Sequence, residues 1–435
     1  MTKTELARRR RQLMRMMDKK AIAVLPAAPV RVRNRDAEHA YRQDSDFLYL
    51  TGFHEPEAVA VLAPGRKHGE FILFCRERDP EKETWHGRRA GLDGATTRFG
   101  ADDAFPIEDL DEILPGLLED REKVYYTMGA QSDFDQKVIG WVNQIRGNSR
   151  SGHHPPREFA ALDYLLHDMR LFKSRAEIAK MRKAAQLSAR AHIRAMGACK
   201  PGMWEYQVEA ELLHEFRMGG MVPSYTPIVG GGANGCILHY IENDARLRDG
   251  DLLLIDAGGE LDGYAADITR TFPINGRFSA EQRALYEIVL EANKAAIAKV
   301  KPGNHWDDPH CAAVKVITKG LVELGLLKGS VPKLMRDEAY KRFYMHRTGH
   351  WLGLDVHDVG DYKVDEAWRI LEPGMALTIE PGLYIPAHAK GVRNRKWWDM
   401  GIRIEDDVVV TEEGHEVLSA DAPKEVADIE ALMNP

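Results

Sequence analysis

Four carboxylates stand where apolar β-type runs end. Asp256 closes Leu252-Leu-Leu-Ile255, and Asp267 lies within Tyr264-Ala-Ala-Asp-Ile-Thr-Arg-Thr-Phe-Pro273. Glu380 follows Ala376-Leu-Thr-Ile379 just before Pro381-Gly382, and Glu405 follows Gly401-Ile-Arg-Ile404. Strand interiors disfavour acidic side chains, because a desolvated charge has no partner there. Four such acids gathered bare in one domain would repel one another, and a bound cation is the simplest remedy. Any fold for this chain has to bring these strand ends together around that charge.

The segments 251–257 and 264–273 flank Gly258-Gly-Glu-Leu-Asp-Gly263, which has the chemistry of a hairpin loop. Folding the hairpin near residue 261 is expected to set Asp256 almost directly opposite Asp267, roughly 4.5–5.5 Å away. A slip of one residue would send one acid to the wrong face. Glu380 and Glu405 form a second pair. Side chains alternate along a strand, so Arg403 shares a face with Glu405 and is placed to steady the cluster, while Ile402 and Ile404 turn to the core. By the same count Thr269 is expected to orient Asp267.

Histidines enter in His346-Arg-Thr-Gly-His350-Trp-Leu-Gly-Leu-Asp-Val-His357, a glycine-punctuated segment beside the acidic strands. One histidine with four carboxylates makes an oxygen-rich site. That donor set suits Mn²⁺ or another hard divalent ion better than a thiolate-bound structural zinc. Four carboxylates exceed the needs of one ion, so two ions about 3.5–4 Å apart are expected. Ordinary surface salt bridges are the plain alternative, and the apolar neighbours argue against it.

At 435 residues the chain has room for two or three domains. Apolar residues make up 44% and charged residues 29%, as in a soluble globular protein. A net charge of −7 argues against nucleic acid or an anionic membrane as the main partner. The run Arg8-Arg9-Arg10-Arg11 reads as a solvated face of a first helix over 3–19. No apolar stretch is long enough for a membrane span, and the charged start does not resemble a signal peptide. Glu5 and Asp18 also disfavour a transit peptide. Cys75, Cys199, Cys236 and Cys311 are scattered, with no Cys-x-x-Cys, and read as reduced thiols of a cytoplasmic protein. A nucleophilic Cys236 beside His239 is disfavoured.

After the first helix come Ala21–Leu25, an apolar stretch Phe47–Leu50, strands at 58–62 and 70–75, helices at 106–119 and 132–145, and the strand Lys123–Tyr126. This alternation predicts a sheet flanked by helices. The turn-rich stretch Arg146–Pro156 reads as a loop, and its His153 and His154 as surface residues rather than ligands. A helix at 157–169 closes a first domain near residue 170. In the remainder a plan recurs about a hundred residues apart. Ser174 with Glu177 forms a capping box, followed by a helix to Cys199, Lys200-Pro-Gly202 and a helix from Trp204 to Met218. Ser279 then caps a helix to Val300, followed by Lys301-Pro-Gly303 and a helix to Leu326. Two helix–helix–strand units predict a pseudo-symmetric domain, with helices outside a curved sheet and a cleft between the halves.

The phrases IDAG, DITRTFP, HWLGLDVHDVG, LEPGMALTIEPGLY and GIRIEDDVVVT resemble the pita-bread metallopeptidases, a family that includes methionine aminopeptidases, prolidases and Xaa-Pro aminopeptidases. Asp256, Asp267, His350, Glu380 and Glu405 match its five metal ligands in order and context. YRQDSDFLYLTGF (41–53) and WHGRR (85–89) resemble the first domain of bacterial Xaa-Pro aminopeptidases, also called aminopeptidase P. The resemblance implies an α+β chain: a smaller α/β N-terminal domain over 1–170 and a pita-bread catalytic domain over 171–435. It implies two divalent ions, Mn²⁺ first and Zn²⁺, Co²⁺ or Fe²⁺ as alternatives, which activate water against the bond before a proline. It casts Glu380 as proton shuttle, and His239 and His357 as substrate-binding histidines that polarise the scissile carbonyl. Arg403 is placed in the catalytic set. Tyr384 and Trp85 become candidates for the proline pocket, Trp85 from a neighbouring subunit, so a homodimer or homotetramer is expected. Arg347 departs from the family, which usually has glycine there. A prolidase is the near rival. A catalytically silent binding protein and a creatine-hydrolysing relative are disfavoured, because all five ligands are kept.

Overall fold

The computed structural model describes residues 1–148, 150 and 152–434; Ser149 and Ser151, inside the stretch expected to be a loop, lie outside them. The chain forms two compact units, Met1–Met169 and Arg170–Pro435.

In the first unit a six-stranded sheet runs in the order Asp103–Pro106, Phe71–Cys75, Val59–Leu62, Ala21–Pro26, Lys123–Tyr125, Glu158–Ala160. The central strands are buried on both faces and read as unbroken apolar runs, such as Phe71-Ile-Leu-Phe-Cys75. Leu110–Leu118 and Ser132–Gly147 cover one face through Leu114, Val138 and Trp141. Two expectations are corrected here, and one stretch without an assigned element gains one. Residues 158–160 form a parallel edge strand, and the closing helix begins only at Asp163. The apolar stretch at 47–50 lies in the helix Ser45–Thr51, N-capped by the Asp44 carboxylate. The arginine run is only half solvated. Arg9 and Arg10 are buried, donate to the carbonyls of Tyr49 and Leu50, and stack on Tyr49 and Phe71. Guanidinium groups thus satisfy carbonyls that the end of the helix leaves open.

In the second unit the recurring plan is visible. Arg175–Ala198 opens with the Ser174/Glu177 capping box and is followed by Glu205–Met218. Ala280–Ile297 opens with the Ser279/Gln282 box and is followed by Asp308–Glu323. Each helix pair is accompanied by a three-stranded antiparallel sheet. Ile228–Gly231, Leu252–Asp256 and Thr269–Pro273 form one; Ala376–Ile379, Asp406–Val410 and His415–Val417 form the other. Arg270 ties the halves together, donating to the carbonyl of Glu405 and pairing with Asp406 at 2.8 Å.

Candidate metal centre

Register decides which carboxylates meet. The hairpin turns at Asp262-Gly263, both with positive φ (51° and 88°), a pair suited to a tight two-residue turn. Glu260 therefore faces Ala265 and Asp256 faces Thr269. Asp267 lies two residues from the position opposite Asp256, in the break between Tyr264–Ala265 and Thr269–Pro273. The expected direct opposition is thus replaced by a diagonal one, which keeps both acids on one face. The chains come close at this break: a Cβ on Gly258 would meet the Ala266 carbonyl oxygen at 1.7 Å. In the other half, Ile379 faces Asp406 and Gly382 faces Arg403, so the same register sets Glu380 opposite Glu405.

One atom each from Asp267, His350 and Glu405 lie within 4.8 Å of one another, a group able to hold a metal ion. His350 Nε2 is 3.4 Å from Asp267 and 3.6 Å from Glu380. The Tyr225 hydroxyl is within hydrogen-bonding reach of both Asp256 and Asp267. A phenol has one proton, so it cannot donate to both at once. The remaining contact needs a further proton or a cation. Arg403 donates to Asp256 at 2.7 Å, to the Tyr384 hydroxyl at 2.9 Å and to Thr269 at 3.1 Å. Thr269 in turn donates to Glu405 at 2.6 Å, so it orients Glu405 rather than Asp267. The Asp267 backbone N–H donates to the carboxylate of Asp407.

The charges are poorly balanced by the protein alone. Burial raises Glu380 to about 7, against the opposing pull of His350 and Arg403. Burial, then Asp267, Glu380 and Asp256, push Glu405 well above the carboxylate range. Asp256 is raised by burial, with Arg403 pulling the other way. Burial disfavours charge on His350, but its bond to Asp267 and the nearby Glu380 outweigh this and raise it to about 9. Buried acids of raised proton affinity, with converging oxygens and one imidazole, are the donor set that divalent cations replace protons on.

A pocket of about 260 Å³ opens over these groups, lined also by Leu238, His239, His346, Arg347, Gly349 and His357. Gly349 is required by packing, since a Cβ there would meet the Thr378 carbonyl oxygen at 2.0 Å. His239 and His357 are both exposed at the pocket, and the His357 and His350 rings lie 4.1 Å apart. Tyr384, expected at the proline pocket, is 1% exposed, with its hydroxyl between Arg403 and His346 Nε2. Trp85 belongs to the first unit, where the helix Pro80–His86 leaves it 83% exposed. Cys236 carries no nucleophilic character, because burial pushes its thiol up to about 12. Sequence reasoning missed Tyr225, Asp407 and the supporting role of His346. Only the double acid Asp406-Asp407 after Glu405 offered a local signal.

A cleft between two related halves, floored by carboxylates and one histidine, defines a metal-dependent hydrolase of the pita-bread type. The sequence profile of metallopeptidase family M24 matches residues 179–412, and that of the aminopeptidase P N-terminal domain matches residues 6–125. The chain belongs to metallopeptidase family M24. It is 47% identical to the Xaa-Pro aminopeptidase of Escherichia coli K12 over 99% of this chain and 98% of that protein. Among solved structures, aminopeptidase PepP of Pseudomonas aeruginosa superposes with a TM-score of 0.99 at 63% identity, covering 100% of this chain and 98% of that one. Zn-substituted E. coli aminopeptidase P in complex with product superposes with a TM-score of 0.97 at 46% identity, covering 100% and 98%.

Proposed function

We infer that this protein is an Xaa-Pro aminopeptidase that releases the N-terminal residue from peptides with proline second. The observation that carries the reading is the convergence of Asp267, Glu405 and His350, with Glu380 beside them, under an open pocket. Similarity to Xaa-Pro aminopeptidases along the whole chain supports it and disfavours the prolidase alternative. In this reading 1–170 is the N-terminal domain and 171–435 the catalytic domain. Asp256, Asp267, His350, Glu380 and Glu405 hold two divalent ions, Mn²⁺ being the natural first choice for so many oxygens. When bound, such ions supply a nucleophile from water at neutral pH.

The chain's own groups do the rest. Glu380, at the floor of the pocket and 3.6 Å from His350 Nε2, takes the proton of the attacking water and passes it to the proline nitrogen. His239 and His357, exposed at the pocket, polarise the scissile carbonyl. Arg403 holds Asp256 in place, and Tyr384 positions Arg403 and His346. Proline lacks an N–H and has a fixed ring, so a shaped pocket selects it where ordinary peptidases fit it badly. The exposed Trp85 suits a contact with a neighbouring subunit, in a homodimer or homotetramer. Light scattering that finds a fully active monomer would remove that part of the reading. The thiols fit a reducing, cytoplasmic setting.

The test is hydrolysis of matched Xaa-Pro and Xaa-Pro-Yaa peptides by metal-stripped protein refilled with Mn²⁺. Cleavage of the longer peptide at the Xaa–Pro bond, with little on the dipeptide, is expected. Turnover confined to the dipeptide would make the protein a prolidase. Silence on both would return it to a binding role.

A further inference from the structure

Arg347 is the charged residue of the metal pocket to which the reaction gives no role. Its backbone is outside the left-handed region, so arginine replaces the family's usual glycine without strain. Its side chain is half exposed and held at two points. Nη2 pairs with Asp307 at the start of the helix Asp308–Glu323, and the guanidinium lies 4.9 Å from the ring of Trp368. Trp368 sits in the short hairpin Lys363–Val364/Ala367–Trp368, and its ring also carries Lys363, with Nζ at 4.7 Å. Among the described residues, Nε and Nη1 of Arg347 donate to no protein acceptor, so part of its fork remains open.

Position gives this fork a partner. A second, largely apolar pocket of about 460 Å³, lined by Ile228, Ile241 and Val356, shares His239, Asp256, Asp267 and His357 with the metal pocket. It does not include Arg347, so the half-exposed guanidinium of the cleft stands at the end away from the apolar pocket. His346 Nδ1 lies 3.8 Å from Glu380, the group assigned to protonate the proline nitrogen, and Arg347 is the next residue. Arg347 lines the same pocket as Glu380 and is absent from the apolar pocket, which leaves the Glu380 end of the cleft to the proline-led fragment. In a tripeptide, the terminal carboxylate follows the scissile bond by two residues, roughly 7 Å of extended chain. An arginine side chain beside His346 spans that distance.

We propose that Arg347 is a specificity residue that binds a carboxylate on the departing fragment, through a guanidinium oriented by Asp307 and Trp368. The proposal rests on the aminopeptidase reading. The carboxylate is either the C-terminus of a short peptide or an acidic side chain just after proline. Both present the same two oxygens to the fork.

The experiment compares Ala-Pro-Leu with its C-terminal amide, and Ala-Pro-Glu-amide with Ala-Pro-Gln-amide, on Mn²⁺-loaded wild type, Arg347→Ala and Arg347→Lys. Calorimetric binding of Pro-Leu and Pro-Leu-amide accompanies the kinetics. The wild type is expected to favour the carboxylate member of at least one pair by roughly tenfold in KM, with kcat little changed. Arg347→Ala abolishes that ratio and Arg347→Lys keeps part of it. The calorimetric preference follows if the C-terminus is the source. A preference in the first pair only identifies the C-terminus, and in the second pair only the side chain. Equal treatment of both pairs by wild type, or a ratio that survives Arg347→Ala, overturns the proposal. Hydrolysis of the neutral amides tests the aminopeptidase reading separately, because it does not depend on Arg347. A lowered melting temperature in Arg347→Ala with an unchanged ratio would assign the residue to packing alone and would also overturn it.

Discussion

Glu405 and Asp406 are neighbours in sequence, both buried, and meet opposite environments. Alternation along the strand turns Glu405 toward Asp256, Asp267 and Glu380, where its proton affinity climbs. Asp406 turns the other way, to Arg270 at 2.8 Å and Lys424 at 2.6 Å. Burial alone would raise Asp406, but these two cations outweigh it and hold the acid well below the ordinary carboxylate range. Asp358 repeats the pattern with Lys173 and Arg170. Burial is common to all three acids, so burial does not distinguish a metal site from a structural ion pair. The difference is whether the protein supplies the countercharge itself. Where it does, the carboxylate is part of the scaffold. Where Arg403 and His350 face four acids, only Asp267 is held low, against its burial, through its bond to His350, and the deficit on the other three is left for divalent ions.

That contrast can be broken by experiment. The largest expected effect is on the site side: Glu380→Gln should lower kcat by about 10²–10⁴-fold, as loss of a general acid–base group does. Because it removes a repelling charge, the metal-free variant should melt no lower than wild type. A clear loss of melting temperature would place Glu380 with the scaffold acids. On the scaffold side, Asp406→Ala leaves Arg270 and Lys424 unpaired and is expected to cost about 3–5 kcal/mol in urea denaturation. A cost near zero would mean that the cations reach water or another partner.

A smaller change sharpens the boundary between the two groups. Arg403→Lys keeps one charge but loses the geometry that reaches Asp256, Tyr384 and Thr269 together. It should reduce kcat/KM by about 10–100-fold, as residues behind a metal centre do. The smallest effect is a difference in pH slope. Asp406 and Asp358, held low, stabilise the protein above about pH 4 and lose that contribution as acid protonates them. Glu380, held up at about 7 in the metal-free chain, does the opposite: its own contribution falls as the pH rises from about 4 toward 7, against His346, His310 and His192, which burial holds low and which favour the folded state more as the pH rises over that range. Denaturation across that range should show a more negative slope with chelator than without it, and a smaller difference between the two in Glu380→Gln. Equal slopes would mean that bound ions do not replace protons at this site.

Local chemistry was legible in the chain. The Ser174 and Ser279 caps, the two Lys-Pro-Gly breaks and the acids at apolar strand ends are short-range patterns, and the structure carries helices and strands where they indicate. Reading failed where distance in sequence mattered. Arg9 and Arg10 looked solvated because nothing nearby reveals that the Ser45–Thr51 helix offers them carbonyls. Tyr225 was invisible because it reaches Asp256 and Asp267 from 31 and 42 residues away.

Local chemistry along the chain specifies the elements and the residue types that converge: four carboxylates, a histidine and a strand arginine, in an order that names their family. Which of these groups face one another is settled by packing. It placed Asp267 diagonal to Asp256, gave Thr269 to Glu405, and separated Asp406 from Glu405 by one step of the pleat. Register is a long-range quantity, set by a two-residue turn and by the packing of two half-domains. Composition and spacing do not contain it.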